Sequence, residues 1–281
     1  MKKRILKISA FAAALVLIVG VMWFANGLVG NPVSKALATR TAKNHLEENY
    51  PGEDFELDGV VFSFKHGYYH VYITSPGSID SSFSLAIGLN GKLISDYYGD
   101  LVLSGWNTAE RIGREYRLSV DGVLNSSEFP YNEHIGYGEL EFVPAEYKND
   151  PSVPEYAIVT EELVPDAFYD VDELGKKAGK ITVYLEDENV TYERLAEIVL
   201  DIRRIFDDAG VSFWALDLVL ESPKTEDGYD ETARVEVMDF LYSDIYEEGM
   251  TERVISSDEA ADAYYAEQDG EKLKEKAEEG K

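Results

Sequence analysis

GYYHVYITSPGSIDSSFSLAIGLNGKLISDYYG, residues 67–99, decides the fold of the first half of the chain. Asn90-Gly91 is the strongest short hairpin signal in the sequence, because both residues tolerate the positive φ that a two-residue β-turn demands. It separates two strand-like runs, Ser82 to Leu89 and Lys92 to Tyr98. Upstream, Lys65-His66-Gly67 reads as a second compact turn between Phe55–Phe64 and Tyr68–Thr74. Four consecutive strands joined by short turns predict an antiparallel meander.

Helix signals bracket that meander. Asn31-Pro32 has the form of a helix start, an Asn cap followed by proline in the first turn, and Pro51-Gly52 ends the run. Asn107-Thr108-Ala109-Glu110 has the form of a capping box opening another helix, with Ala109, Ile112 and Tyr116 on one face. A helix, a four-stranded meander and a helix predict an α+β domain over about residues 31–125.

The second half repeats the class with a different order. Ile181, Val183 and Leu185 alternate as a strand. Thr191 caps a helix whose apolar positions are Leu195, Ile198, Val199, Ile202, Ile205 and Phe206, and Gly210 stops it. Trp214, Leu216, Leu218 and Leu220 alternate as the next strand, and Arg234 to Leu241 forms another. Gly136 to Val143 is a further strand candidate, and Pro144, Pro151 and Pro154 mark an irregular connection. The reading is a second α+β domain of β-α-β-β order over residues 126–255, followed by a charged helical or disordered tail over 256–281.

Ahead of both domains, Ile8 to Val29 contains no charged residue, and as a helix it is roughly 33 Å long, enough to cross a bilayer. Trp23 and Phe24 stand near its outer end, and Lys2, Lys3, Arg4 and Lys7 precede it. The expectation is a signal anchor over residues 1–30, with a cytoplasmic N-terminus and the domains extracytoplasmic at the cell membrane. A helix beginning directly after the span places the first domain close to the bilayer. A cleaved signal peptide is the alternative, and Ala36-Leu37-Ala38 has the small-x-small form, although it lies well past the apolar run.

Charge narrows the function classes. The chain totals −28, and since the first 31 residues hold four basic and no acidic side chains, the remainder carries −32. Such a polyanion repels phosphate backbones, so nucleic acid is excluded as a partner, and a protein or basic-peptide partner at the cell envelope is expected beside the membrane itself. The absence of cysteine excludes disulfides, thiolate catalysis and Cys-ligated zinc.

Motifs for chemistry are missing. There is no GxSxG elbow, no HExxH, and no glycine-rich loop leading from a strand into a helix. Asp170-Val171-Asp172-Glu173-Leu174-Gly175 imitates the start of a calcium loop, but Leu174 takes the fifth position and Ile181 the twelfth, where a bidentate Glu is needed. Glu186-Asp187-Glu188 and Glu226-Asp227 read as acidic turns. Of the histidines, His66 falls in a turn, His45 on the exposed face of a helix, and His70 mid-strand on one face with Tyr68 and Tyr72. Tyr68, His70 and Tyr72 are therefore the candidate binding residues, with a sheet surface under a helix as the plain structural reading. No catalytic residue, metal or cofactor is expected. The functional expectation is a non-catalytic binding or interaction module, and the alternative is a cell-envelope hydrolase using acidic residues.

The runs NPVSKALATRTAKNHLEENYPG (31–52), residues 67–99 as quoted and WNTAERI (106–112) resemble the YfjL-like proteins of Gram-positive bacteria. The resemblance implies a short basic N-terminus, one membrane segment and two extracytoplasmic domains. That family has no assigned activity, so it implies no catalytic residue. Asn31-Pro32, Ser75-Pro76, Asn90-Gly91 and Asn107-Thr108 match it as caps and turns.

Overall fold

The computed structural model describes residues 2–151, 153–224 and 234–279, and the chain is mixed α+β throughout. It divides into two compact units: residues 1–108 with 163–167, and residues 109–162 with 168–281.

The first unit opens with α1 (Lys2–Val29), and one helix of the described chain, this one, is long and apolar enough to cross a membrane. Gly30, at φ 70°, turns the chain into α2 (Pro32–Asn49), where the Asn31 side chain accepts from Ser34 N at 2.8 Å. β1 (Glu56–Ser63), β2 (Tyr68–Ser75), β3 (Ser78–Gly88) and β4 (Leu93–Asp96) follow as a four-stranded antiparallel sheet in sequence order. α2 lies on one face of it. Its buried positions are small apart from the last, Ser34, Ala38, Ala42 and Leu46, so the helix seats closely on Tyr69, Val71, Ile73, Phe83, Leu85 and Ile87. A turn forms at Asn90-Gly91, but it holds three residues, Leu89 to Gly91, between Gly88 and Lys92, whose N–H and C=O bond at 2.8 Å, and of the pair only Gly91 takes a positive φ. Gly91 sits at φ 79°, and a Cβ there would lie 3.1 Å from that of Leu37, so glycine also lets the turn rest on α2.

Residues 163–167 return to this unit from far along the sequence. Asp166 Oδ1 accepts from Ser78 Oγ and from the backbone N–H groups of Ile79 and Asp80, at 2.8–3.1 Å, while Asp166 N donates to Asp80 Oδ2 at 2.8 Å. Two carboxylates thus cap each other's turns, with Asp80 fully buried.

The second unit is built on β5 (Glu133–Leu140), β8 (Gly179–Glu186), β9 (Ala215–Glu221) and β10 (Arg234–Leu241), in the order β10-β9-β8-β5. β8 and β9 are parallel, joined through α5 (Tyr192–Ala209), and the other pairs are antiparallel. The α5 stripe from Leu195 to Phe206 is buried, as are Ile181, Val183, Leu185, Leu216, Leu218 and Leu220. Short strands β6 (Phe142–Val143) and β7 (Ile158–Val159) form a parallel pair of their own.

α3 (Trp106–Leu124) packs on this second sheet, with the exception of its first turn. Gly136 and Gly138 on β5 leave room for it: a Cβ on Gly138 would collide with Val120, and one on Gly136 would lie 2.8 Å from Leu124. Tyr116 is fully buried and donates to Ser212 O at 2.9 Å. The expected capping box does not form. The helix begins at Trp106, and the Asn107 amide instead donates to the carbonyls of Asp80 and Ser82, at 2.7 and 2.6 Å.

α4 (Val171–Ala178) explains the false calcium loop: Asp170 caps it by accepting from Asp172 N and Glu173 N. α6 (Met250–Glu279) covers the β10 edge, where Asp258 Oδ1 accepts from Glu236 N at 2.9 Å.

Candidate functional site

Strand β2 turns Tyr69, Val71 and Ile73 towards α2, so Tyr68, His70 and Tyr72 stand on the opposite face of the first sheet. The three expected binding residues are brought together there. His70 lies 5.0 Å from the Tyr68 ring and 6.2 Å from that of Tyr72, between ring centroids. His66, in the preceding turn, stacks on Tyr68 at 5.3 Å and 14° and extends the row to four rings. No helix of the first unit covers this face among the described residues, and Tyr72 is 44% exposed.

The neighbouring strands shape the surroundings. On the β3 side the cross-strand partners of Tyr68, His70 and Tyr72 are Gly88, Ala86 and Ser84. On the β1 side they are Ser63, Val61 and Gly59. On the β3 side Ala86 is only 1% exposed and Tyr97 bonds to the Tyr68 side chain, so that flank of the row is covered, while on the β1 side Val61 is exposed. Burial, and after it the adjacent His66, holds the His70 imidazole below its ordinary value, so this ring is neutral at pH 7.

Most of the other titratable groups are engaged structurally. His45 departs from the sequence expectation of an exposed helix position. It is half-buried, and its Nε2 lies 2.7 Å from Asp96 Oδ2, because α2 lies against β4 there. Asp96 also accepts from the Tyr50 hydroxyl at 2.7 Å and from Tyr98 N at 2.9 Å. Burial opposes ionisation of Asp96, but the bonds from Tyr50, His45 and Tyr98 outweigh it and hold the carboxyl below the usual range. A depressed carboxylate stabilises the fold above the unfolded value of about 4 and loses that contribution as pH falls through the lower folded value. Asp96→Asn is accordingly expected to cost about 2 kcal/mol at pH 7. It should also flatten the acid limb of the unit's stability curve, measured by urea unfolding between pH 2 and 7.

The second unit holds a partly buried charged cluster. Lys180 Nζ lies 2.9 Å from Asp217 Oδ2 and 2.7 Å from Asp239 Oδ1, and Asp217 Oδ1 accepts from Asp239 N at 2.7 Å. Asp239 adopts φ 49°, at the register shift between β9 and β10. Burial would lower the Lys180 ammonium, but its bonds to Asp239 and Asp217 keep it raised. Burial pushes Asp217 up, and it pushes Glu141 up with the help of Glu139. Tyr156, half-buried near the same charges, is pushed up to about 12 by that burial and by Asp239. Sequence reading missed this cluster, although Asp217 inside the apolar run WALDLVL was the available signal.

His134 pairs with Glu221 at 3.1 Å, and Asp187 of the Glu186–Glu188 turn pairs with Arg194 at 2.9 Å. Glu226-Asp227 lies outside the described residues. Among the described residues no group of three or more His, Asp or Glu is placed to hold a metal ion. The ends of α3 and α5 also line a groove of about 420 Å³, with Val123, Ile205 and Val211 as its apolar wall and Arg204 and Asp208 at its rim.

Comparison with known proteins agrees with the two-part build. The model of the YfjL-like N-terminal domain matches residues 2–97, and that of the YfjL-like C-terminal domain matches residues 115–255. No curated protein matches the chain. A crystal structure of a DUF5037 family protein from Ruminococcus gnavus ATCC 29149 is similar over 65% of this chain and 73% of its own, at 15% identity. Its TM-score of 0.19 is too low for an argument about fold or function. With both domain models matched in order along one polypeptide, the chain belongs to the YfjL-like family.

Proposed function

We infer that this protein is a membrane-anchored, extracytoplasmic binding module that does no chemistry of its own. The observation that carries this reading is a contrast between two sets of side chains. Groups suited to acid–base work are engaged with one another, as His45 is with Asp96 and Lys180 with Asp217 and Asp239. The row of His66, Tyr68, His70 and Tyr72 instead stands on a sheet face that no helix of the first unit covers among the described residues, with Tyr72 exposed at its end.

The partner that suits this face is an extended basic segment of another protein. Tyrosine faces attract cations, and the Tyr72 end of the row is flanked by the exposed acids Glu56 and Asp58 on β1. The uncharged run Ile8–Val29 and the basic residues before it support the anchor and its orientation. The hydrolase alternative draws on the raised Asp217 and Glu141. Against it, Asp217 is only 6% exposed and is already bonded to Lys180 and Asp239 N.

Binding of a fluorescent lysine- and arginine-rich peptide to the detergent-solubilised chain tests the reading. Affinity should fall as salt rises, since exposed charges more than about 8 Å apart are screened at physiological ionic strength. It should also fall roughly tenfold in Tyr72→Ala, on the scale of one lost cation–π contact. Salt-insensitive binding that ignores Tyr72 would overturn it, as would turnover of a cell-wall glycan abolished by Asp217→Asn.

A further inference from the structure

The junction between α1 and α2 is fixed to the first sheet. Asn31 N donates to the Tyr69 hydroxyl, which in turn donates to Asn31 O, both at 2.9 Å. Gly30 packs so closely that a Cβ there would collide with the Tyr69 hydroxyl and touch the Phe62 ring. Phe62 and Tyr69 face each other across β1 and β2, next to the turn that joins these strands. Tyr68 pairs with Gly88, so the β3–β4 turn lies at the same end of the sheet, where Gly91 rests on Leu37. The end of α1, the first turns of α2 and both hairpin tips therefore form one pole of the unit.

That pole has an unusual surface for so acidic a chain. Val33 and Phe64 are 71% and 70% exposed, and Leu37 and Leu89 are also exposed. Lys35, Lys65 and Lys92 are exposed among them. Residues 31–46, 59–79 and 81–95 contain no Asp or Glu. The exposed acids of this unit are Glu47, Glu48, Glu53, Asp54, Glu56 and Asp58, at the other end of α2 and the start of β1, with Asp100 beyond β4 and Asp166 against the β2–β3 turn.

We propose that this pole is a lipid-docking surface, with Phe64, Leu89 and Val33 entering the interface of the bilayer that α1 crosses and Lys35, Lys65 and Lys92 meeting anionic headgroups. Apolar tips ringed by lysines are the composition that binds an interfacial, anionic surface, and an acid-free face avoids repulsion there. Connectivity supplies the proximity: only Gly30 and Asn31 separate α1 from α2, and Phe64 lies two residues beyond Phe62, about 7 Å of strand. The acidic far end is correspondingly held away from the lipid and towards solvent. This inference rests on the anchor reading above.

The absence of native cysteine allows a clean test on the full chain. Single-cysteine variants Phe64→Cys, Leu89→Cys and, at the far end, Glu53→Cys carry an environment-sensitive fluorophore and are reconstituted into vesicles of phosphatidylglycerol or of phosphatidylcholine. In phosphatidylglycerol, emission at positions 64 and 89 should shift to the blue and lose quenching by acrylamide, while position 53 stays quenched. Combining Lys35→Gln, Lys65→Gln and Lys92→Gln should bring the anionic result to that in phosphatidylcholine. Labels at 64 and 89 quenched as fully as at 53 in both lipids, on a chain that floats with the vesicles, overturn the docking surface alone. A chain that does not float with vesicles overturns the anchor reading and this inference together.

Discussion

Lys180→Met is expected to lower the stability of the second unit by about 3–5 kcal/mol at pH 7, among the largest effects of any single substitution outside its apolar core. The Lys180 side chain is 14% exposed and its ammonium bridges two carboxylates, one of them, Asp217, almost fully buried. Removing it leaves the Asp217 charge with only the Asp239 N–H, and Glu141 loses its cation as well. The loss should shrink in acid, with a predictable sign. Burial already raises the folded Asp217 carboxyl above its unfolded value, and deleting its cation raises it further. Between those two values the folded state binds more protons than the unfolded state, so stability falls as pH rises through the window and recovers below it. Urea unfolding of the variant at pH 7 and at pH 4 measures both effects. A pH-independent deficit would show that lost packing of the lysine stem, not the stranded charge, sets the cost.

Tyr116→Ala should be about as damaging, roughly 3–5 kcal/mol, through the loss of a fully buried ring and of the donor to Ser212 O. Its location matters as much as its size. Tyr116 lies against Gly175 and Gly179, so the destabilisation belongs to the second unit although α3 follows the first meander directly. Hydrogen exchange should show faster opening of β8 and β9 amides with β2 and β3 unchanged. Equal acceleration in both sheets would mean that the units share one cooperative core.

Much of this architecture was legible in local sequence. The Asn31-Pro32 start, the Asn90-Gly91 turn and the α5 stripe each rest on short-range physics: a cap, a positive φ, a spacing of three and four. The row of Tyr68, His70 and Tyr72 was legible for the same reason, since alternation along a strand fixes which residues share a face. What escaped was set by distant partners. Asn107 has the sequence of a cap but finds better acceptors in the carbonyls of Asp80 and Ser82. The side of α3 that carries Ala109, Ile112 and Tyr116 fits any apolar sheet, and only Gly136 and Gly138, small residues on a strand read as ambiguous, reveal which sheet receives it. The return of residues 163–167 to the β2–β3 turn depends on Asp166 and Asp80 meeting across 86 positions, for which no short motif exists. His45 was misplaced for a related reason: α2 is polar enough to suggest solvent on that side, but Asp96 at the end of β4 receives the imidazole.

In the proposed topology the anchor crosses the membrane once and leaves both units on its outer side. Single cysteines introduced at Lys3, Glu53 and Glu193 and probed with a membrane-impermeant maleimide on intact protoplasts measure it most directly. That topology gives rapid labelling at positions 53 and 193 in intact cells and labelling at position 3 only after permeabilisation. Labelling at position 3 in intact cells, with 53 and 193 protected until lysis, would contradict it.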